Sequence, residues 1–191
     1  WVSTPNTVVL CGAKPVFVDV DRDTLIAVPA LVEEAITDRT RLIVPVHFAG
    51  APADMDALRQ IARKYNIPII EDAAHAHGSA YSDRKCGSLG QLASFSFQAS
   101  KNLTAGEGGI VATNNDAWAE RVRCAVDCCA FYWDTSKRQS PGFSANGARA
   151  SEFEGAILNA QLDRIAGMIR TMRSQKKRIL REACDSGLKP V

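Results

Sequence analysis

Three short apolar runs constrain what this chain can fold into. They are residues 15–20 (Pro15-Val16-Phe17-Val18-Asp19-Val20), 42–47 (Leu42-Ile43-Val44-Pro45-Val46-His47) and 67–70 (Ile67-Pro68-Ile69-Ile70). Each is too short for a helix and lacks the polar alternation of a half-exposed strand. Runs of this kind are strands covered on both faces, which requires a mostly parallel sheet between layers of helices. Helical signals fall between them. Residues 1–10 read as a helix that Ser3 or Thr4 could cap, with Pro5 in its first turn. Residues 29–36 read as a second, and residues 54–65 as a third, with Asp54 as cap and Met55, Leu58, Ile61 and Ala62 on one face.

Beyond Gly78 the pattern changes. Residues 81–90 are polar and punctuated by glycine, as in a hairpin-like excursion. Residues 92–97 and 109–113 read as strands, 116–126 as a helix and 131–147 as irregular. From Ser151 to about Cys184 one helical pattern runs unbroken, and Leu158, Leu162, Ile165, Ile169 and Met172 form a single apolar seam along it. The basic residues Arg173, Lys176, Lys177, Arg178 and Arg181 near its end read as a solvated face. The fold class expected is α/β: three layers, a mostly parallel sheet with flanking helices, ending in a long helix.

The 191 residues suffice for one sizeable core, and 46% apolar with 23% charged residues is ordinary for a globular chain. A formal net charge of +2 does not suit a dedicated nucleic-acid surface. No apolar run approaches the roughly 20 residues of a membrane span. Six cysteines without CxxC spacing fit a reducing, cytoplasmic setting, and Cys124, Cys128 and Cys129 fall at helical spacing, as packed residues do. The chain begins at Trp1, inside what reads as an element, so a fragment of a longer protein is expected.

In open α/β sheets ligands sit at the carboxyl ends of the strands. Three groups of polar residues fall there: His47, the cluster Glu71-Asp72-Ala73-Ala74-His75-Ala76-His77-Gly78, and the turn after Ser96 that carries Lys101. Neither GxGxxG nor GxxxxGK[ST] occurs, which argues against a dinucleotide site and a nucleotide P-loop. Asp72 at a buried strand end needs a cationic partner, or else it caps a helix or pairs structurally. Lys101, set among small residues, can be desolvated and so freed as a nucleophile. A lysine forming a Schiff base and an aspartate facing a pyridinium nitrogen are the recurring pair of pyridoxal 5'-phosphate (PLP) sites, with Ser96, Ser100 and turn amides available to the phosphate. The alternative of His75 and His77 as metal ligands lacks a third ligand, and an i, i+2 pair points to different sides. His47 and Glu107 read as structural residues.

The wording of these motifs goes further than their spacing. Residues 71–78 and Ser94-Phe95-Ser96-Phe97-Gln98-Ala99-Ser100-Lys101-Asn102-Leu103 resemble the DegT/StrS-type sugar aminotransferases, PLP enzymes of the aspartate-aminotransferase fold. So do residues 12–21, residues 45–56 and Gly106-Glu107-Gly108-Gly109, in the family's order along nearly the whole chain. The resemblance implies that Lys101 carries the cofactor and shuttles the proton, that Asp72 pairs with the pyridine nitrogen, and that His75, where many members have Gln, bonds the ring's phenolic oxygen. It implies Ser96 as a phosphate ligand, Trp1 as an aromatic stacked on the ring, and Asn146 as a residue reaching the neighbouring subunit's phosphate. At Asn146 the chain reads one residue longer than the family's Asn-x-Arg-x-Ser-Glu. The family's upstream Gly/Thr phosphate loop and its C-terminal small domain have no counterpart here. Residues 1–150 therefore correspond to a PLP-binding large domain without its N-terminal part, and residues 151–191 to a helix leading toward the small domain.

The implied reaction moves an amino group from an amino acid, Glu or Gln, to a keto-sugar, nucleotide-linked, or to a keto-cyclitol, in a cytoplasmic homodimer with shared sites. The rivals are a non-catalytic PLP-binding or regulatory relative and a PLP-dependent sugar dehydratase. Such dehydratases carry histidine in place of the lysine, so Lys101 disfavours that rival.

Overall fold

The computed structural model describes residues 1–127 and 145–188. Its sheet has the order β1 (Ile70–Asp72), β4 (Leu92–Ser96), β5 (Gly109–Ala112). β1 and β4 are parallel, with Asp72 beside Ser94. β5 runs antiparallel along the far side of β4, with Gly109 beside Ser96. Residues 42–47 lie along the other side of β1 through the parallel bridges Ile43–Ile69 and Val46–Asp72. Pro45 accepts from the Asp72 N–H at 2.9 Å but has no N–H to return, so this edge forms bridges and not an unbroken ladder. The mostly parallel sheet expected from the apolar runs is present, with one antiparallel edge strand. The third run is paired at its end: regular pairing begins at Ile70 and continues through Asp72.

Residues 15–20 are not a strand. Only Val20 is bridged, antiparallel to Ala27, and Phe17 is 76% exposed. A strand needs a neighbour for its N–H and C=O groups, and among the described residues no strand lies beside this run.

The helices follow their sequence signals. α1 (Ser3–Leu10) ends at Cys11 and at Gly12, whose φ is +73°. Its expected Ser3 or Thr4 cap does not form. Val2 precedes the helix, and no side chain caps it. α2 (Pro29–Glu34) has Pro29 in its first turn. α3 (Met55–Tyr65) is capped by Asp54, whose Oδ1 accepts from Ala57 N at 3.1 Å, and it stops at Asn66 in the left-handed conformation. Its buried Met55, Leu58, Ile61 and Ala62 face Ile43, Ile67 and Ile69 in the main core. Burying such side chains stabilises the fold by roughly 1.5–3 kcal/mol each.

β2 (Ala80–Tyr81) and β3 (Arg84–Lys85) form the expected hairpin, and both turn residues, Ser82 and Asp83, have positive φ, as a type I′ turn requires. α4 (Asp116–Val126) is capped by Asn115 through Trp118 N. The long helix α5 (Glu152–Asp185) opens with a reciprocal capping box between Ser151 and Glu154. Its seam divides. Leu158 and Ile165 pack on Phe97, Leu103 and Ala105, while Leu162 and Met172 remain exposed. Cys128, Cys129 and most of the segment expected to be irregular lie outside the described residues.

Candidate active site

The strand ends converge. Asp72 N donates to Pro45 O at 2.9 Å, His47 N to Asp72 O at 3.0 Å, and Ala73 N to Ser94 O at 2.9 Å. This register brings the His47, Asp72 and Ser94 positions to one edge. Side chains alternate across a strand. Asp72 and Ser94, as parallel neighbours, share one face of the sheet, and Ser96 follows on it two residues later. Glu71, Ala93 and Phe95 belong to the opposite face.

On the first face, both oxygens of Asp72 are held. Ala74 N donates to Oδ1 at 3.2 Å, and the hydroxyl of Thr4, in the first turn of α1, donates to Oδ2 at 2.6 Å. Thr4 is a residue that sequence reasoning placed elsewhere, as a possible cap. Ser96 Oγ accepts from Gln98 N at 3.3 Å and begins the turn that leads to Lys101.

That turn is closed on itself. Lys101 N donates to Gln98 O, and the Gln98 side-chain oxygen accepts from both Ser100 N and Ser100 Oγ at 2.9 and 2.6 Å. Thr104 Oγ1 donates to Phe97 O and accepts from Gly106 N. Gly106 and Gly108 have φ of +90° and +117°, conformations that side chains rarely adopt, and they let the chain return so that Gly108 O meets Phe97 N at 2.8 Å. Lys101 is thereby presented, half-buried, on a short rigid loop.

Lys101 borders a cleft of about 310 Å³ with Ser100, Asn102, His75, His77 and Met172 of α5. Asp72 and Ser96 do not line this cleft. They share one face of the sheet. A larger depression of about 520 Å³ lies at the opposite, amino-terminal ends of the strands, between Arg41, Tyr65 and Pro68. It contains none of the candidate catalytic or cofactor-binding residues.

Burial holds His75 below its ordinary pKa, Lys101 adds to the effect and Asp72 opposes it. Ala49 N donates weakly to His75 Nδ1 at 3.4 Å, which leaves Nε2 as the donor of a neutral ring. His77 is deeper, 8% exposed and set 5.4 Å from the Phe95 ring and 6.0 Å from the Phe97 ring. Among the described residues neither of its ring nitrogens has a hydrogen-bond partner. Burial lowers its pKa, the main chain of Ser96 works against this without forming a hydrogen bond of ordinary geometry, and Lys101 and His75 lower it further.

His47 and Glu71 are structural, as read for His47. His47 Nε2 meets Glu71 Oε2 at 2.9 Å with both side chains fully buried. Trp1 lies at the head of α1, 86% exposed, and Asn146 is exposed before α5. Neither lines the cleft. Among the described residues no group of three His, Cys, Asp or Glu side chains could hold a metal ion, and no helix is long and apolar enough to cross a membrane.

The set comprises one lysine on a rigid turn, one fixed carboxylate, one neutral imidazole and strand-end hydroxyls, which fits the donor set expected for PLP. Similar architecture occurs in solved structures. The chain is 38% identical to 3-amino-5-hydroxybenzoic acid (AHBA) synthase, with a TM-score of 0.78 over 86% of this chain and 43% of that one. It is 38% identical to S. venezuelae DesV, solved in complex with a ketimine intermediate, with a TM-score of 0.77 over 87% of this chain and 44% of that one. At 23% identity, where only the fold is informative, GDP-4-keto-6-deoxymannose-3-dehydratase (ColD) superposes with a TM-score of 0.88 over 97% of this chain and 52% of that one. The chain thus spans about half the length of these proteins, or less. The model of one family matches residues 1–186, and on that match the chain belongs to the DegT/DnrJ/EryC1/StrS aminotransferase family.

Proposed function

We propose that the protein is a PLP-dependent aminotransferase that takes an amino group from an amino acid, Glu or Gln, and delivers it to a keto-sugar, nucleotide-linked, or to a keto-cyclitol. The observation that carries this reading is the placement of Lys101 on a closed turn in one cleft with His75, which also feels the charge of Asp72, while Asp72 and Ser96 share one sheet face. When bound, PLP supplies an electron sink for the carbon that loses its proton.

The chain's own residues have distinct tasks in this reading. Lys101 would hold the cofactor through its ε-amine and would move the proton at the reacting carbon. Asp72, held in place by the Thr4 hydroxyl and Ala74 N, would face the pyridine nitrogen and favour its protonated form. His75, neutral and donating from Nε2, bonds the phenolic oxygen. Ser96 would receive the phosphate, with amides of the turn other than those of Gln98, Ser100, Lys101, Ala105 and Gly106, which are bonded within it. Trp1 would stack on the ring, and Asn146 would serve the partner's site in a cytoplasmic homodimer. Residues 1–150 are then part of the PLP-binding large domain, and α5 leads toward a small domain.

The transaminase reading is tested by half-reactions. Glutamate or glutamine converts the PLP form of the purified protein to the amine form, and a keto-sugar from a nucleotide-linked panel converts it back. If neither donor changes the cofactor's absorbance, the non-catalytic reading replaces this one. Dehydration of a keto-sugar without amine transfer would favour the dehydratase.

A further inference from the structure

We propose that Thr4 is a positioning residue of the active site: its hydroxyl fixes the Asp72 carboxylate and thereby sets how strongly Asp72 holds the cofactor's pyridine nitrogen protonated. The inference rests on the cofactor reading above. Thr4 Oγ1 donates to Asp72 Oδ2 at 2.6 Å across 68 positions of sequence. A donor at this distance from a carboxylate is charge-assisted and stronger than a neutral hydrogen bond.

The hydroxyl has no local task. It does not cap α1, since no side chain does, and the i−4 bond to the main chain within this helix is made by Thr7 to Ser3 O. α1 buries no residue of its own. Apolar packing therefore does not explain why a side chain of this helix reaches the end of β1. Ala74 N holds the other carboxylate oxygen at 3.2 Å. Two donors, one on each oxygen, fix the plane of the carboxylate and leave each oxygen a further lone pair. The charged and titratable groups near this corner are Lys101, His75 and the amino group of Trp1, and among the described residues none of them hydrogen-bonds Asp72.

Losing the Thr4 donor frees the Asp72 carboxylate to turn away from the ring nitrogen. The ring nitrogen is then less firmly protonated, and the visible band of the bound cofactor titrates at higher pH. The experiment is a pH titration of that band in the PLP-loaded protein, with PLP dissociation constants measured alongside. Thr4→Val is expected to raise the midpoint by roughly half to one unit, the worth of one hydrogen bond, and to weaken PLP binding several-fold. Thr4→Ser restores both values. In an Asp72→Asn background, Thr4→Val adds no further shift, because it acts through Asp72.

A Thr4→Val protein that melts at lower temperature but titrates like the parent would overturn the proposal and leave Thr4 as a tether of α1. An additive shift in the Asp72→Asn background would overturn it as well. A parent protein that binds no PLP would instead remove the cofactor reading on which the inference stands.

Discussion

Nε2 of His47 lies 2.9 Å from Oε2 of Glu71, and both side chains are fully buried at the ends of adjacent strand segments. His47 Nδ1 accepts from Ala53 N at 3.1 Å, so the ring's proton sits on Nε2 and is given to Glu71. Glu71 also accepts from Gly87, Leu89 and Gly90 N–H groups at 2.6–2.7 Å. Burial acts to raise its pKa, yet His47 and the three main-chain donors together hold it below its ordinary value of 4.5.

A carboxylate with a lowered folded pKa contributes stability above its unfolded value, and that contribution is lost as pH falls through the folded one. Parent stability is therefore expected to drop in the acid range below about pH 4.5. Glu71→Gln keeps the shape but removes the charge, and a loss of about 3–5 kcal/mol at neutral pH is expected. Denaturant melts of both proteins between pH 3 and 8 check this. A Gln variant as stable as the parent at pH 7 would sink the keystone role of Glu71.

Gly90 is required by space. A Cβ there would lie 2.8 Å from the carbonyl oxygen of Ile69, a main-chain atom that cannot swing away, and 3.3 Å from Leu92 O. The shift it forces also disturbs the Gly90 N–H bond to Glu71. Gly90→Ala should cost about 1–3 kcal/mol, read as a fall in denaturation midpoint. An unchanged midpoint would contradict the packing described.

Cys86 is buried beside Glu71, and its thiol is pushed up to about 11, first by burial and then by the Glu71 charge. At pH 8 only about a thousandth is thiolate, the form that alkylates. Iodoacetamide mapping by mass spectrometry is expected to label Cys86 only after denaturant is added. Rapid labelling of the native protein would show that this pocket is open.

Much of the architecture was legible from local rules. Asp54 is the cap expected, offering a short side-chain oxygen to the N–H three residues on, and Asn115 and Ser151, where only helix starts were read, cap their helices in the same way. The doubly covered runs 42–47 and 67–70 pair in parallel for the reason their composition suggests. Residues 15–20 have the same composition, but pairing is a property of neighbours, and a run cannot announce whether one is present. In the site, Lys101, His75, Asp72 and Ser96 were visible as strand-end residues. Thr4 was not, because its partner is 68 residues away and a Ser-Thr-Pro opening reads as a cap. The nitrogens of His77, without a partner among the described residues, were equally hidden, since its burial beside Phe95 and Phe97 is a property of tertiary packing.

The central claim is that Lys101 anchors PLP. Purified protein loaded with PLP and reduced with borohydride is expected to carry a stable pyridoxyl group on the peptide containing Lys101, and Lys101→Ala is expected to carry none while losing both half-reactions. A pyridoxyl group on another lysine, or full turnover by Lys101→Ala, would contradict the account.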